Sequence, residues 1–326
     1  MTGTVARPRP EPRRRLTWPS DAPRVGVHLG GRGLLRAARR ARQIGAGAIQ
    51  IFIDNPTAWS RRADPDPDAA AFVAYCARES VAPISIHASY LVNLAGSAEP
   101  FASRSRASLA AEMAHAPAYG ASLVNTHIGS HRGTGVEAGL RRIVENVRAL
   151  LAGAPDGVRL VLENSTGGGA MLGSSVEELA RILEGVGDAG PDRLGFCLDT
   201  AHLWGAGYDL GTGDGARGVI DRFEECLGLE WLAMVHLNDS RSDRGSRTDR
   251  HEHIGAGKIG VEGFAALLRD PRLTTVPFIL ETPGVDEGWD AVNLRRAWLL
   301  WNGATELSPL PPKAFRTSRR STRVVG

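Results

Sequence analysis

The sequence is poor in cysteine, in lysine and in long apolar runs, and these scarcities narrow the range of possible structures and functions. Its three cysteines are an odd number without a C-x-x-C spacing, which excludes a disulfide framework and a thiolate zinc site. Only two of the 39 basic residues are lysines, an arginine bias that we attribute to genome composition. No apolar run approaches the roughly 20 residues of a membrane-spanning helix, and MTGTVARPRPEPRRR lacks the apolar stretch of a signal peptide. We therefore expect a cytoplasmic protein with no membrane partner.

Positive charge is concentrated at the two ends of the 326-residue chain. Residues 1–20 hold +4 and residues 304–326 hold another +4, so with a net charge of +3 the remaining body carries −5. Neither end has apolar residues at the spacing of a helix or a strand. We therefore predict a disordered basic arm over 1–22 and a disordered basic tail over 304–326. Three bound divalent cations would bring the body to about +1, which would suit a polyanionic substrate.

Between these ends, eight short apolar runs alternate with stretches of helical period such as LLRAARRARQIGA and SVEELARILEGV. The runs are VGVHL (25–29), AIQIFI (48–53), PISIHA (83–88), LVNTHI (123–128), RLVLEN (159–164), LGFCLD (194–199), LAMVHLND (232–239) and PFILETP (277–283). Such alternation is typical of a parallel sheet covered on both faces. It predicts an α/β protein with a (β/α)8 TIM barrel over residues 23–303 and an active site at the C-terminal rim of the strands.

A doubly wound open sheet is the structural alternative. It would need a glycine-rich phosphate-binding turn after an early strand, and HLGGRG after the first run is only a weak match to G-x-G-x-x-G. No acidic residue closes a neighbouring strand to hold a ribose, Asp54 being the nearest. The barrel is therefore the preferred fold.

Potential metal ligands gather at or just beyond the ends of the third to eighth strands. Five of the nine histidines lie there with four carboxylates, and the set is His87, His127, Glu163, Asp199, His202, His236, Asp249, His251 and Glu281. Because the carboxyl ends of all barrel strands meet at one rim, these side chains can surround one small volume. Imidazole with carboxylate suits zinc or manganese, and a carboxylate such as Glu163 can bridge two cations that promote phosphoryl displacement. The pattern predicts a polynuclear metal site that hydrolyses a phosphate ester.

Six segments closely resemble, in the same order, the endonuclease IV (deoxyribonuclease IV) family of apurinic/apyrimidinic endonucleases. They are SIHASYLVNLAG, NTHIGSH, LENSTGGGAMLG, CLDTAHLWGAGYDL, VHLNDSRSDRGSRTDRHEHIGAGKIG and ILETP. The D-T-x-H run that begins at Asp199 and the D-R-H run that begins at Asp249 are the most specific motifs. The resemblance implies a zinc-dependent barrel of base excision repair that holds three Zn2+ ions, with Mn2+ able to replace them in part.

The resemblance also implies how the ligands divide. One ion would be held by His87, His127 and Glu163, a second by Glu163, Asp199, His236 and Glu281, and the third by His202, Asp249 and His251. From the sequence alone His253 competes with His251, whereas the Asp-x-His spacing of the family favours His251. Glu163 or Glu281 would orient the attacking hydroxide, which makes these two the predicted catalytic residues.

The implied substrate is double-stranded DNA with an abasic site, cut on its 5′ side to leave a 3′-hydroxyl, and blocked 3′ ends would also be trimmed. Tyr90 and Leu91 match a family pair that enters the gap in the duplex, and His131, in the family's G-S-H position, would face the substrate or support a metal ligand from behind. Bending the duplex and extruding the sugar costs less where no base is paired. We expect a monomer associated with the nucleoid.

The second strand is followed by a departure from the family. Where the family often has K-N-x-R-x-W, residues 54–59 read D-N-P-T-A-W, so both basic positions are lost. Arg61 and Arg62 lie just beyond, and the expectation is that they compensate by reaching the phosphates. His28 ends the first strand and has no metal role in the family pattern, so a hydrogen bond in the core or at the rim is expected for it.

Two other functions stay open at this point. A single-metal sugar isomerase or epimerase of the xylose-isomerase-like barrels would use only Glu163, Asp199, His236 and Glu281, and it leaves five ligands unexplained. A non-catalytic damaged-DNA binding protein would grip DNA with the basic ends, but an intact set of ligands argues against it.

Overall fold

The computed structural model describes residues 16–30 and 33–316, in which eight parallel strands close into a barrel. Around the barrel the order is β1, β10, β7, β6, β5, β4, β3, β2. These strands are β1 (Val25–His28), β2 (Ile49–Ile51), β3 (Ile84–His87), β4 (Leu123–His127), β5 (Arg159–Glu163), β6 (Leu194–Asp199), β7 (Leu232–His236) and β10 (Phe278–Leu280). A short antiparallel pair, β8 (Asp239–Ser240) and β9 (His251–Glu252), lies between β7 and β10. Each predicted apolar run contains one barrel strand, which confirms the (β/α)8 fold.

Helices lie between the strands and cover the outside of the barrel. They are α1 (Leu34–Ile44), α2 (Ala69–Arg78), α3 (Phe101–His115), α4 (Val136–Ala152), α5 (Val176–Val186), α6 (Thr200–Ala206), α7 (Gly213–Cys226), α8 (Glu262–Leu268) and α9 (Trp289–Trp301). Local chemistry sets their ends: at the start of α5 the Ser175 hydroxyl accepts a hydrogen bond from Glu178 N, which makes Ser175 the N-cap of the helix. Within the described residues, no helix is long and apolar enough to cross a membrane.

Alternation along the strands divides the apolar side chains between two cores. In β5, Leu160 and Leu162 belong to the large cluster shared with the helices, whereas Val161 belongs to a smaller cluster. That smaller cluster contains Ala48, just before β2, and residues of five strands, β4, β5, β6, β7 and β10: Leu123, Val161, Cys197, Ala233, Met234 and Ile279. Because successive residues of a strand face opposite sides, Glu163 faces the same way as Val161. Inward-facing residues at the strand ends therefore converge at the carboxyl rim.

The packed body extends beyond the predicted limits of residues 23 and 303. Leu16 and Trp18 pack against the core, and the Trp18 ring meets that of Trp301 edge-on with centroids 6.4 Å apart. At the other end Ala314 is buried, and its carbonyl oxygen accepts a hydrogen bond from His253 Nε2 at 3.0 Å. The expectation of disordered ends is therefore corrected for residues 16–22 and 304–316, where side chains within these segments dock on the barrel. The rest of both predicted ends, 1–15 and 317–326, lies outside the described residues.

Candidate metal centre

The nine predicted ligands lie together at the carboxyl rim and are called the ligand cluster below. Five end a barrel strand, Glu281 follows β10, His202 lies in the first turn of α6, Asp249 precedes β9 and His251 begins it. Ligand atoms of eight of them fall into groups whose members lie within 4.8 Å of one another. The ninth, Asp249, places its carboxylate oxygens 3.3 Å from His202 Nε2 and 3.1 Å from His251 Nε2.

Glu163 lies in the middle of the ligand cluster, and its two oxygens face different histidines. Oε2 lies 3.6 Å from His87 Nε2 and 3.7 Å from His127 Nε2. Oε1 lies 3.3 Å from His202 Nδ1 and 3.3 Å from His236 Nδ1. A carboxylate that presents one oxygen to each side has the geometry needed to bridge two cations.

Three carboxylates converge on His236. Glu163, Asp199 and Glu281 form with it a four-residue group of potential ligands, the same four that the sequence assigned to a second ion. His236 Nδ1 lies 3.2 Å from Glu281 Oε2 and 3.9 Å from Asp199 Oδ2. Glu163, Asp199 and His236 are wholly buried, whereas Glu281 is partly exposed to solvent. The group is therefore deep, with one edge open to the rim.

The third predicted set, His202, Asp249 and His251, lies beside this group. His251 Nε2 also comes within 3.6 Å of Asp199 Oδ2. Asp199 therefore belongs to the group around His236 and also contacts the third set. The D-T-x-H run explains part of the arrangement, because Asp199 caps α6 by accepting a hydrogen bond from His202 N at 2.9 Å. A helix cap thus fixes two potential ligands relative to each other.

Hydrogen bonds to backbone carbonyls orient three of the imidazole rings. Nδ1 of His87, His202 and His251 each donates to a carbonyl oxygen, at 2.7, 2.9 and 3.1 Å respectively. Each bond leaves the Nε2 lone pair directed at the ligand cluster. Such contacts set the tautomer of metal-binding histidines.

Three buried atoms of the ligand cluster have no hydrogen-bond partner among the described residues: Glu163 Oε1, His236 Nδ1 and His251 Nε2. A buried polar atom without a partner costs free energy. Bound cations would satisfy all three atoms. The residues present therefore fit a group of divalent metal ions.

Burial and mutual charge act against each other in the ligand cluster. Burial opposes the charged form of His202, but the nearby carboxylates of Asp199 and Asp249 raise its pKa well above the ordinary value. Burial likewise opposes ionisation of Glu163, but the neighbouring histidines, His236 foremost, hold its pKa well below the usual range. The carboxylate of Glu163 therefore stays ionised, and incoming cations would displace protons from the histidines.

Two histidines outside the ligand cluster have structural roles. His253 is buried elsewhere, where Nε2 donates to Ala314 O and Nδ1 accepts from Asn293 Nδ2 at 2.9 Å. It is therefore not a competitor of His251. His28 Nδ1 donates to Glu281 Oε1 at 2.6 Å, which confirms the expected hydrogen bond at the rim.

Sequence reasoning missed four side chains that border the ligand cluster. The thiol of Cys197 lies within 4.8 Å of Glu163 and His236, but burial raises the pKa of this thiol to about 12 and keeps it protonated. The other three are the buried carboxamides of Gln50, Asn125 and Asn238, which donate to carboxylates of the cluster. Strand alternation could have found two of these four, because Cys197 and Asn125 lie two residues before a predicted ligand on the same face.

The predicted DNA-facing residues lie in two loops. Tyr90 is partly exposed and packs on the ligand cluster, with its ring centroid 5.5 Å from that of His87 and 6.1 Å from that of His127. Leu91, beside it, is also partly exposed. His131 lies before α4, where its Nδ1 accepts a hydrogen bond from Gly135 N at 3.0 Å. The contact of these residues with DNA stays a prediction.

Arg61 is held by bonds within the protein, so the expectation that it reaches the phosphates is wrong, whereas phosphate contact by the exposed Arg62 stays a prediction. Arg61 is buried, with Nε 3.2 Å from Glu112 Oε1, and its Nη1 donates to carbonyl oxygens of its own loop. Arg62 forms ion pairs with Asp54 and Asp66. Arg61 therefore ties the loop to α3, whereas Arg62 joins two parts of the loop itself.

Comparison with known proteins identifies relatives that match this chain over most of its length. The chain matches the family described as xylose isomerase-like TIM barrel over residues 38–299. It is 40% identical over 274 residues to a probable endonuclease 4 of Geobacter sulfurreducens, covering 83% of this chain and 92% of that protein. It is 41% identical over 266 residues to the probable endonuclease 4 of Methanoculleus marisnigri, covering 81% and 93%.

Solved structures also separate the endonuclease IV family from the sugar epimerases that share its fold. Endonuclease IV from Thermus thermophilus aligns with a TM-score of 0.75 at 39% identity, covering 86% of this chain and all of that one. An L-ribulose 3-epimerase aligns with a TM-score of 0.60 at only 19% identity, covering 88% and 89%, and this similarity concerns the fold alone. The sequence identity over most of both chains shows that this protein belongs to the endonuclease IV family, within the xylose isomerase-like TIM barrels.

Proposed function

We propose that the protein is a metal-dependent apurinic/apyrimidinic endonuclease of base excision repair. It hydrolyses the phosphodiester on the 5′ side of an abasic site in double-stranded DNA, leaves a 3′-hydroxyl and also trims blocked 3′ ends. The observation that carries this proposal is the position of Glu163, whose Oε2 faces His87 and His127 while its Oε1 faces His236. A single-metal sugar isomerase would have no use for the ligands around it, which are His87, His127, His202, Asp249 and His251.

Zinc is the proposed metal, three ions per chain, with manganese able to replace it in part. The donor set of imidazoles and carboxylates supports this choice. His87, His127 and Glu163 would hold one ion, Glu163, Asp199, His236 and Glu281 a second, and His202, Asp249 and His251 the third. When bound, such cations polarise phosphoryl oxygens and lower the pKa of water.

Glu163 and Glu281 are the proposed catalytic residues. Burial disfavours an ionised Glu281, but His236 and His28 hold the pKa of this carboxyl well below its usual range. The hydrogen bond from His28 occupies Oε1 of Glu281, so that Oε2 is the oxygen turned towards His236 and the interior of the ligand cluster. Together the two carboxylates orient the attacking water towards the phosphorus.

Tyr90, Leu91 and His131 are the proposed DNA-contacting residues. The partial exposure of Tyr90 and Leu91 beside the ligand cluster supports their entry into the gap left by the missing base. An abasic site lowers the cost of this insertion, because no base pair has to be broken there. We further propose that the protein acts on the nucleoid in the cytoplasm as a monomer.

A duplex with one defined abasic analogue and an end label tests the proposed function. We expect one cut on the 5′ side of the analogue, a product that a DNA polymerase extends from its 3′-hydroxyl, and no product in the presence of a chelator. Binding of the duplex without cleavage, with zinc or manganese supplied, would instead support the non-catalytic damage-binding protein.

Replacing Tyr90 by alanine should weaken binding of the abasic duplex by roughly 5- to 150-fold, because loss of aromatic stacking on a base costs about 1–3 kcal/mol. Fluorescence anisotropy with a non-cleavable abasic analogue measures this affinity. Tyr90→Phe is the matched control, since it keeps the ring against His87 and His127 and should bind like the parent protein. Equal affinities for Tyr90→Ala and Tyr90→Phe would refute the insertion of Tyr90.

A further inference from the structure

Each carboxylate of the four-residue group around His236 receives a hydrogen bond from a buried carboxamide. The donors Asn125 Nδ2, Asn238 Nδ2 and Gln50 Nε2 reach Glu163 Oε2, Asp199 Oδ2 and Glu281 Oε1 at 2.6, 2.6 and 2.7 Å respectively. All three amides have no exposed surface. One amide therefore serves each carboxylate and occupies one of its two oxygens.

Gln50 contacts two predicted ligands at once. While its amide nitrogen donates to Glu281, its carbonyl oxygen lies 3.2 Å from His236 Nε2 and accepts a hydrogen bond from it. This bond places the His236 proton on Nε2 and leaves Nδ1 free to bind a cation. The Ser85 hydroxyl lies 3.3 Å from the same carbonyl oxygen and holds the amide in this orientation.

Asn238 also links two ligands. Its Nδ2 donates to Asp199, and its Oδ1 accepts a hydrogen bond from the backbone N of Glu281 at 2.8 Å. The end of β10 is thereby tied to the segment that follows β7. A shift of one of these strand ends would move a carboxylate on the other.

The choice of amides has an electrostatic reason. A lysine or arginine at these positions would place a positive charge beside the carboxylates and repel an incoming cation. A neutral amide fixes the direction of a carboxylate without reducing its charge. Hydrogen-bonded partners of this kind orient ligands and tune the affinity of metal sites.

We propose that Gln50, Asn125 and Asn238 are positioning residues of the metal centre, and that Gln50 in addition selects Nδ1 of His236 as the metal-binding nitrogen. The inference rests on the proposed function for the reaction that the metal serves, but the effect on metal affinity does not depend on that reaction. Its direct consequence is a metal affinity that depends on side chains which do not themselves bind the metal.

Two near-isosteric variants test this role, Gln50→Met and Asn125→Leu, because each keeps volume and removes the hydrogen bonds. Metal-depleted protein is titrated with Zn2+ and Co2+ in competition with a chromophoric chelator. We expect each variant to bind both ions about 10- to 100-fold more weakly. The visible spectrum of the Co2+ form of Gln50→Met should also change, and kcat should fall with little change in KM for the abasic duplex.

Asn293 provides the matched control. It is an equally buried amide that donates to the ring of His253, outside the ligand cluster, and accepts from Ile254 N. Asn293→Leu should lower the thermal unfolding temperature and leave the affinity for Zn2+ unchanged. This comparison separates loss of stability from loss of metal positioning.

Zinc affinities within twofold of the parent for both Gln50→Met and Asn125→Leu would overturn the inference. If circular dichroism shows that Gln50→Met does not fold, Asn125→Leu decides by the same measurement. A parent protein that fails to cut abasic DNA, combined with variants that lose zinc affinity, would refute the proposed function and support the positioning role. The two proposals can therefore fail separately.

Discussion

Replacing Glu163 by alanine should reduce cleavage of an abasic duplex by at least about 10³-fold. The change removes the carboxylate whose Oε2 faces His87 and His127 and whose Oε1 faces His236. Several kcal/mol of transition-state stabilisation are lost with metal ions in such a site, and each 1.4 kcal/mol is about tenfold in rate. Single-turnover cleavage rates measure the effect, and elemental analysis should show less metal bound per chain.

Asp290 offers a control for the loss of a buried carboxylate. It is as buried as Glu163, but it forms an ion pair with Arg40 on α1 and lies outside the ligand cluster. Asp290→Asn should therefore lose stability while it retains metal and cleavage. Cleavage by Glu163→Ala at a rate near that of the parent would refute the assignment of Glu163 as the bridging ligand.

The barrel and the ligand positions could be predicted because both depend on short-range rules. Strands that alternate with helices specify a parallel barrel, and the period of two along a strand turns Glu163 inward once Val161 does so. The D-T-x-H run is equally local, since the cap of α6 by Asp199 fixes the placement of His202. The family resemblance implies the division into three sets, which spacing alone does not supply.

Contacts between distant parts of the chain could not be predicted in this way. From the sequence, Arg61 is expected to be a free cation next to an altered loop. In the structure it pairs with Glu112 of α3, and its side chain is largely buried. The role of Gln50 depends on the closure of the barrel, which brings β2 near residues that follow β10. The docking of Trp18 against Trp301 likewise joins opposite ends of the sequence. In each case the partner is set by tertiary packing.

Removal of metal with a chelator should abolish cleavage and lower the midpoint of thermal unfolding, and added Zn2+ should restore both. Cations that bind only the folded state stabilise it by about 2.7 kcal/mol for each site at a free concentration of 100 Kd. For a domain of about 300 residues, each kcal/mol shifts the midpoint by about 1.6 °C, so about 4 °C is expected for each ion lost. The buried atoms Glu163 Oε1, His236 Nδ1 and His251 Nε2 are the structural reason, because they have no hydrogen-bond partner among the described residues.

The number of ions needed to restore stability and cleavage distinguishes an endonuclease from a sugar isomerase. Titration of the metal-depleted protein with Zn2+, followed by scanning calorimetry and by cleavage of the abasic duplex, should show saturation at about three ions per chain, because the ligand cluster contains three neighbouring sets of donors. Saturation at one ion, together with turnover of a ketose, would favour the sugar isomerase that needs only the group around His236. Glu163→Ala should then bind fewer ions than the parent in the same titration, since two of the three sets share this carboxylate.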